Sequence, residues 1–234
     1  MMGDETPPTT KGVGLLNEKP LHAALKAWYA QPDDRFEVDV DGSVIDILRG
    51  ELLVEIQTRS FSALKRKLEK LVVNHAVRLV YPIAAEKWIV RLSDDGTVSG
   101  GRRKSPKHGA MSGLFRELVS FPHLISHHNF ALEVLLIQEE EVRQQGLARN
   151  WRRRGWGTVE RRLVQVVDRR LFAAPADLAA LIPASLEEPF TSAGLADAMN
   201  QPRWLAQKMV YCLRGMGAIA EAGKQGKASR YVRT

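Results

Sequence analysis

The sequence predicts an α/β chain that closes with a compact helical module, and three stretches predict it. The first is Val44-Ile45-Asp46-Ile47-Leu48-Arg49-Gly50-Glu51-Leu52-Leu53-Val54-Glu55-Ile56-Gln57. It reads as two apolar strands joined by a tight turn at Arg49-Gly50, where glycine supplies the positive φ of a short hairpin. The second is the alternation of helical and strand periodicity around that hairpin, the pattern of a sheet covered by helices. The third lies near the C-terminus: residues 193–199 and 203–216 are helical runs joined by Asn200-Gln201-Pro202, a helix-turn-helix spacing.

Taken in order, residues 1–14 carry prolines and glycines with no periodic apolar signal and are expected to be a disordered tail. A helix over 21–30 follows Asn17-Glu18-Lys19-Pro20, with Leu21, Leu25 and Trp28 on one stripe. Phe36-Glu37-Val38-Asp39-Val40 alternates strictly, so the strand over 35–41 has one acidic, wet face. Ser60 caps a helix over 61–73 whose apolar row is Phe61, Leu64, Leu68, Leu71 and Val72; Lys65, Arg66, Lys67 and Lys70 take its remaining surface. Strands at 77–83 and 87–92 lead to a turn at Asp94-Asp95-Gly96. Between Gly100 and Gly109 lies a loop with Arg102, Arg103, Lys104 and Lys107, which either meets phosphates or is simply solvated. A short helix over 111–119 and an apolar run over 130–137 complete this part. From Thr158 the spacing of Val159, Leu163, Val166, Val167 and Leu171 predicts a helix, and another starts at Pro175.

Composition narrows the class. The chain carries a formal +7, distributed as about −1 before Gly146 and +8 from there on, which points to a polyanionic partner for the second part. No run of about 18 apolar residues marks a membrane span, and the start lacks the apolar core of a secretion signal, so a cytoplasmic protein is expected. Cys212 is the single cysteine, which excludes an intramolecular disulfide and a cysteine zinc site. The expected organisation is a tail (1–14), an α/β domain (15–140), a basic linker (141–157) and a C-terminal module (158–234). Within the linker, Arg152, Arg153 and Arg154 lie between Trp151 and Trp156, a pattern that can clamp a nucleic-acid backbone or sit where two domains dock.

The chemistry concentrates in the hairpin. Antiparallel pairing sets Asp46 opposite the 53–55 region, and Glu55 and Gln57 share a face. Two carboxylates in an apolar sheet repel unless a cation neutralises them. One answer is an ion pair with a nearby Lys or Arg. The other is a divalent metal held by Asp46, Glu55 and the carbonyl of Ile56. A second constellation, His123, His127 and His128, has zinc-like spacing but no acidic or cysteine partner beside it.

Asp46 on one strand and Glu55-Ile56-Gln57 on the next, in the order helix, three strands, helix, strand, resemble the PD-(D/E)XK nuclease superfamily. The resemblance implies a restriction-endonuclease-like αβββαβ core over the first half of the chain. It implies Mg²⁺ (or Mn²⁺) on Asp46 and Glu55, with Glu18 of the first helix as a further ligand. Glu18 is equally a complement to the positive helix N-terminus. In the family a Lys stands two residues after the Glu; here Gln57 does. Gln57 orients water without lending charge, Lys65 from the next helix substitutes, or the site is inactive. Arg59 is placed to meet a phosphate nearby.

The helix-turn-helix followed by a hairpin with Lys224 and Lys227 resembles the winged-helix domain, which makes the fold class α/β with a C-terminal winged helix-turn-helix. On a helical wheel Leu205, Met209, Cys212, Leu213 and Met216 form the inward stripe, which removes Cys212 from catalysis. Arg203, Gln207, Tyr211 and Arg214 form the outward one, suited to base edges in a major groove, with Lys224 and Lys227 on flanking phosphates. The function expected is metal-dependent hydrolysis of duplex DNA. The alternative is a non-catalytic DNA-binding regulator on a degenerate nuclease-like scaffold. Cutting both strands at one position would call for a homodimer or two binding events.

Overall fold

The computed structural model describes residues 19–146 and 155–234. The expected tail, Glu18 and the Arg152-Arg153-Arg154 run lie outside the described residues.

Helix α1 (Pro20–Tyr29) opens with Pro in its first turn and buries Leu21, Leu25 and Tyr29. Trp28, expected on that stripe, is 44% exposed. The i, i+4 row carries Tyr29 rather than Trp28 onto the sheet, where its hydroxyl donates to Glu133 at 2.5 Å. Strands β1 (Arg35–Val40), β2 (Ser43–Arg49) and β3 (Leu52–Ile56) form an antiparallel meander. Arg49 pairs with Leu52, so the turn residues are Gly50-Glu51, one step later than the sequence suggests, and Gly50 has φ +55°. Asp39 is spent on the next turn, accepting from the Gly42 amide at 3.1 Å.

A 3₁₀ turn (Phe61–Leu64) and α2 (Lys65–Leu71) cross over to β4 (Val77–Leu92), which runs parallel to β3. Phe61 seals this crossover, fully buried and stacked on Phe121 at 5.3 Å. The two strands expected at 77–83 and 87–92 are one. Ala84 pairs with Ile137 and Glu86 with Gln138, so Ala85 is accommodated as a bulge without ending the strand. β5 (Arg103–Lys104) lies antiparallel along β4. Short helical turns, including α3 (Phe115–Leu118), lead to β6 (Phe130–Gln144), parallel to β4, and then to β7 (Gly157–Phe172), antiparallel to β6. The sheet order is β1-β2-β3-β4-β6-β7, with β5 beside β4.

β7 corrects the sequence reading most. Residues 158–172 were expected to be helical, and the structure makes them the edge strand. The pairing with β6 skips Val159, Val164 and Val167. Each skip inserts one residue into the alternation, so a bulged strand of period two acquires apolar spacings of three and four. The boundary expected at 158 therefore falls within β7, and of the expected linker residues 141–144 belong to β6 and Gly157 to β7.

The C-terminal module follows: α4 (Pro175–Ala179), β8 (Phe190–Thr191), α5 (Ser192–Ala198), α6 (Arg203–Gly215), β9 (Ile219–Gln225) and β10 (Ala228–Arg233). Asp177 accepts from the amides of Ala173 and Ala174 to start α4, and Thr191 caps α5 by accepting from Gly194. The small sheet has the order β8-β10-β9. One hydrophobic core joins Ile45, Leu79, Phe121 and Phe130 to Leu195, Leu205, Met209 and Leu213, so the module is welded to one face of the large sheet. A second, smaller cluster packs α1 on the other face through Leu21, Leu25, Ile47, Val54 and Leu135.

Candidate functional site

Asp46 and Glu55 sit one register step beyond the Ile47–Val54 pair, at the end of the β2–β3 hairpin remote from its turn. Asp46 accepts from the Ile56 amide at 2.7 Å, and the His22 ring nitrogen of α1 lies 3.1 Å from the same oxygen, Oδ2. Glu55 is buried, and the Lys67 ammonium donates to its Oε2 at 2.7 Å and to the Val44 carbonyl at 2.6 Å. The cation contributed by α2 is therefore Lys67. Lys65, the residue expected there, is half exposed and lies 3.9 Å from Glu69. Helix geometry explains the difference: Lys67 is three residues after Leu64 and four before Leu71, on the flank of the row that faces the sheet. Gln57 is turned to its own loop, donating to the Ser60 carbonyl at 3.0 Å.

The two acids titrate in opposite directions. Burial pushes Asp46 up, but the hydrogen bond and charge of His22, the Ile56 amide and Lys67 outweigh it and hold Asp46 below the usual range. For Glu55, burial and the Asp46 charge outweigh Lys67 and lift the carboxyl to about 7. Glu141 is the internal comparison. It too is buried, yet hydrogen bonds from Arg143, Lys87 and Thr158 bring it down to about 2. A carboxylate supplied with enough positive charge behaves like Glu141. Glu55, buried with the Asp46 charge beside it, does not, although Lys67 supplies the ion pair that the sequence allowed.

That donor set suits a hard divalent ion. Among the described residues no three His, Cys, Asp or Glu side chains gather into a metal cage, the three histidines at 123, 127 and 128 included. His127 and His128 stack on each other, and His123 lies 3.3 Å from Glu69. A cation at the hairpin would be held by Asp46, Glu55 and the Ile56 carbonyl with water completing the shell, the sparse protein coordination that Mg²⁺ accepts.

The remaining candidates fall into two groups. Arg203, Gln207, Tyr211 and Arg214 are all exposed along α6, with Arg214 3.8 Å from Glu221. Lys224 and Lys227 are exposed at the β9–β10 turn. On the β4–β5 arm, Arg102 lies over Trp88 at 4.3 Å and 2.6 Å from Glu140, and Lys104 pairs with Glu86 at 2.5 Å. Arg103 and Lys107 make no ion pair among the described residues and line a cleft described below. Arg59 borders a small cleft with Lys19, Thr58 and Arg161.

Sequence reasoning missed a buried ionic cluster. Lys87 lies 2.8 Å from both Glu139 and Glu141, and Arg161 donates to Glu139 and to the Thr58 carbonyl. All three acids of Glu139-Glu140-Glu141, at the edge of the expected linker, face cations. Cys212 is fully buried and its thiol is pushed by burial to about 12, as its place on the inward stripe requires.

An uncharacterized protein of Treponema pallidum (strain Nichols) is 30% identical over 220 residues, 94% of this chain and 86% of that protein. No solved structure matches the chain. No helix of the described residues is long and apolar enough to cross a membrane. A family model matches residues 19–173, from the start of α1 to one residue past β7. The chain belongs to the family described as Domain of unknown function (DUF8091).

Proposed function

We propose that the chain is a divalent-cation-dependent nuclease that hydrolyses DNA phosphodiester bonds. The observation that carries this reading is the placement of two carboxylates at neighbouring register positions at the end of the hairpin, Asp46 held by the Ile56 amide and buried Glu55 by Lys67 at 2.7 Å. The element order α1, β1, β2, β3, α2, β4, with β3 and β4 parallel, supports it, being the order implied by the resemblance to PD-(D/E)XK nucleases. Asp46, Glu55 and the Ile56 carbonyl would hold Mg²⁺ or Mn²⁺, and the ion, when bound, would acidify a water and neutralise charge developing on the phosphate. Lys67 takes the part of the lysine that the family carries two residues after its Glu. It reaches Glu55 from α2 and adds a fixed positive charge beside the carboxylates, leaving Gln57 to its loop. His22 and the Ile56 amide fix the Asp46 carboxylate in place.

DNA docking is assigned to the C-terminal module. Its order of α4, β8, α5, α6, β9 and β10 suits the winged-helix reading, and Arg203, Gln207, Tyr211 and Arg214 present their polar ends to solvent along α6. One observation favours a second reading, a non-catalytic DNA-binding regulator: each acid already has a protein partner, Lys67 for Glu55 and His22 for Asp46. Incubation of supercoiled plasmid with Mg²⁺ or Mn²⁺ separates the two. Nicking that a chelator and Asp46→Ala both abolish supports the nuclease. Retarded plasmid with no nicking under either metal supports the regulator.

A further inference from the structure

Two clefts in this chain share a wall. The first, about 530 Å³, is lined by six cations, Lys87, Arg91, Arg103, Lys104, Lys107 and Arg143, and by no carboxylate. The second, about 860 Å³, lies between the β4–β6–β7 sheet and the start of α6, and it too is lined by Lys87 and Lys107. The acids on its floor are already engaged: Glu139 with Lys87 and Arg161, Glu141 with Lys87, Arg143 and Thr158. With those pairs set aside, the charged residues left on the lining are Lys107 and Arg116. Trp204 stands at the α6 end, 44% exposed, with the Arg116 guanidinium 5.3 Å from its ring. Gly109, on the lining of the second cleft, packs closely against β4. A side chain there would meet the Ala84 carbonyl oxygen at 2.5 Å, so the loop from β5 lies flat against β4.

Arg161, on the floor of the second cleft, donates to the carbonyl of Thr58, the residue after Gln57 and three after Glu55. A cationic groove with an aromatic platform suits an unpaired strand, whose phosphates follow the charges and whose bases stack. Clefts of these sizes are of small-molecule scale and too small to enclose a duplex, one turn of which is about 34 Å long.

We infer that the two clefts form a continuous track for a single-stranded segment of DNA, so that the substrate of this protein is DNA with an unpaired extension rather than uninterrupted duplex. The inference rests on the nuclease reading for the identity of the substrate, but binding tests it without cleavage. Phosphates of the extension lie along Arg103 and Lys107, which have no counter-ion among the described residues, and a base stacks on Trp204. The duplex part stays with α6 and the β9–β10 hairpin.

The test uses the full chain with a chelator present. Fluorescence anisotropy compares a blunt hairpin duplex, the same hairpin with a 12-nucleotide oligothymidine extension, and free oligothymidylate and oligouridylate of that length. The wild type is expected to bind the extended hairpin about 10-fold more tightly than the blunt one. Arg103→Glu with Lys107→Glu removes that advantage and leaves blunt-hairpin affinity within about 2-fold. Trp204→Ala weakens oligothymidylate by about 5- to 10-fold, the size of one lost stacking contact. Tighter binding of oligothymidylate than oligouridylate assigns the track to DNA, and the reverse order overturns that assignment. Equal wild-type affinity for extended and blunt hairpins overturns the track, as does a charge-reversal variant that loses both ligands equally. A protein that binds extensions but, given Mg²⁺ or Mn²⁺, cleaves neither plasmid nor the extended hairpin sinks the nuclease reading alone.

Discussion

Replacing Glu55 by Gln should change how stability depends on pH, because the folded chain holds a proton on Glu55 that the unfolded chain releases earlier. The carboxyl titrates at about 7 in the fold against an ordinary 4.5. Between those values the native state binds more protons than the unfolded one, so stability falls as pH rises through that window. At about 1.4 kcal/mol per pH unit, the full effect is about 3 kcal/mol, of which about 2–3 kcal/mol is lost between pH 5 and pH 8. Urea denaturation of wild type and Glu55→Gln at both pH values reads it directly. The wild type should lose that amount relative to the variant, since glutamine removes the titration. Glu141 adds nothing to this window, because its carboxyl is held near 2 and its contribution fades only below about 4.5. Millimolar Mn²⁺ at pH 8 should return part of the lost stability to the wild type and none to Glu55→Gln. Parallel stability curves for the two proteins, with or without metal, would refute the raised Glu55 carboxyl and the site built on it.

Four further outcomes follow from the structure. Lys67→Met should lower urea stability at pH 7 by about 2–3 kcal/mol, toward the lower end for a half-removed buried pair because Glu55 can take up a proton, whereas Lys65→Met should stay within about 0.5 kcal/mol. In plasmid nicking, Lys67→Met should reduce the rate by about 10²–10³, the worth of one preorganised charged donor. Gly109→Ala should lower thermal stability by about 1–3 kcal/mol through overpacking against Ala84 and Ile83, while Gly101→Ala, with open space around it, should be silent by the same melt. Cys212 should resist iodoacetamide at pH 8 in the native protein and react only as the chain unfolds, followed by mass spectrometry against urea concentration.

The hairpin was legible because nearly every residue of β2 and β3 other than Asp46 and Glu55 is apolar, and two exceptions in such a run stand out. The stripes of α6 were legible because a helix of 13 residues repeats its pattern several times. β7 was not, because bulges at Val159, Val164 and Val167 shift the alternation until it imitates a helix. Lys67 looked like one more solvated lysine; its spacing from Leu64 and Leu71 was the signal that places it on the sheet side. Apart from Arg143, two residues from Glu141, the partners of Glu139 and Glu141 lie 17 to 54 residues away, beyond the reach of any local pattern. The continuity of the core from Ile45 to Leu213 was equally invisible, since packing between halves leaves no periodic trace within either.

The most direct test of the central claim is equilibrium binding of Mn²⁺ to the full chain at pH 7.5, read from the electron paramagnetic resonance signal of the free ion. The wild type should take up at least one ion that Asp46→Asn and Glu55→Gln both fail to bind while remaining folded by circular dichroism. Uptake that is unchanged in both variants, or no uptake by the wild type, would show that Lys67 and His22 already satisfy the pair and that no cation belongs between Asp46 and Glu55.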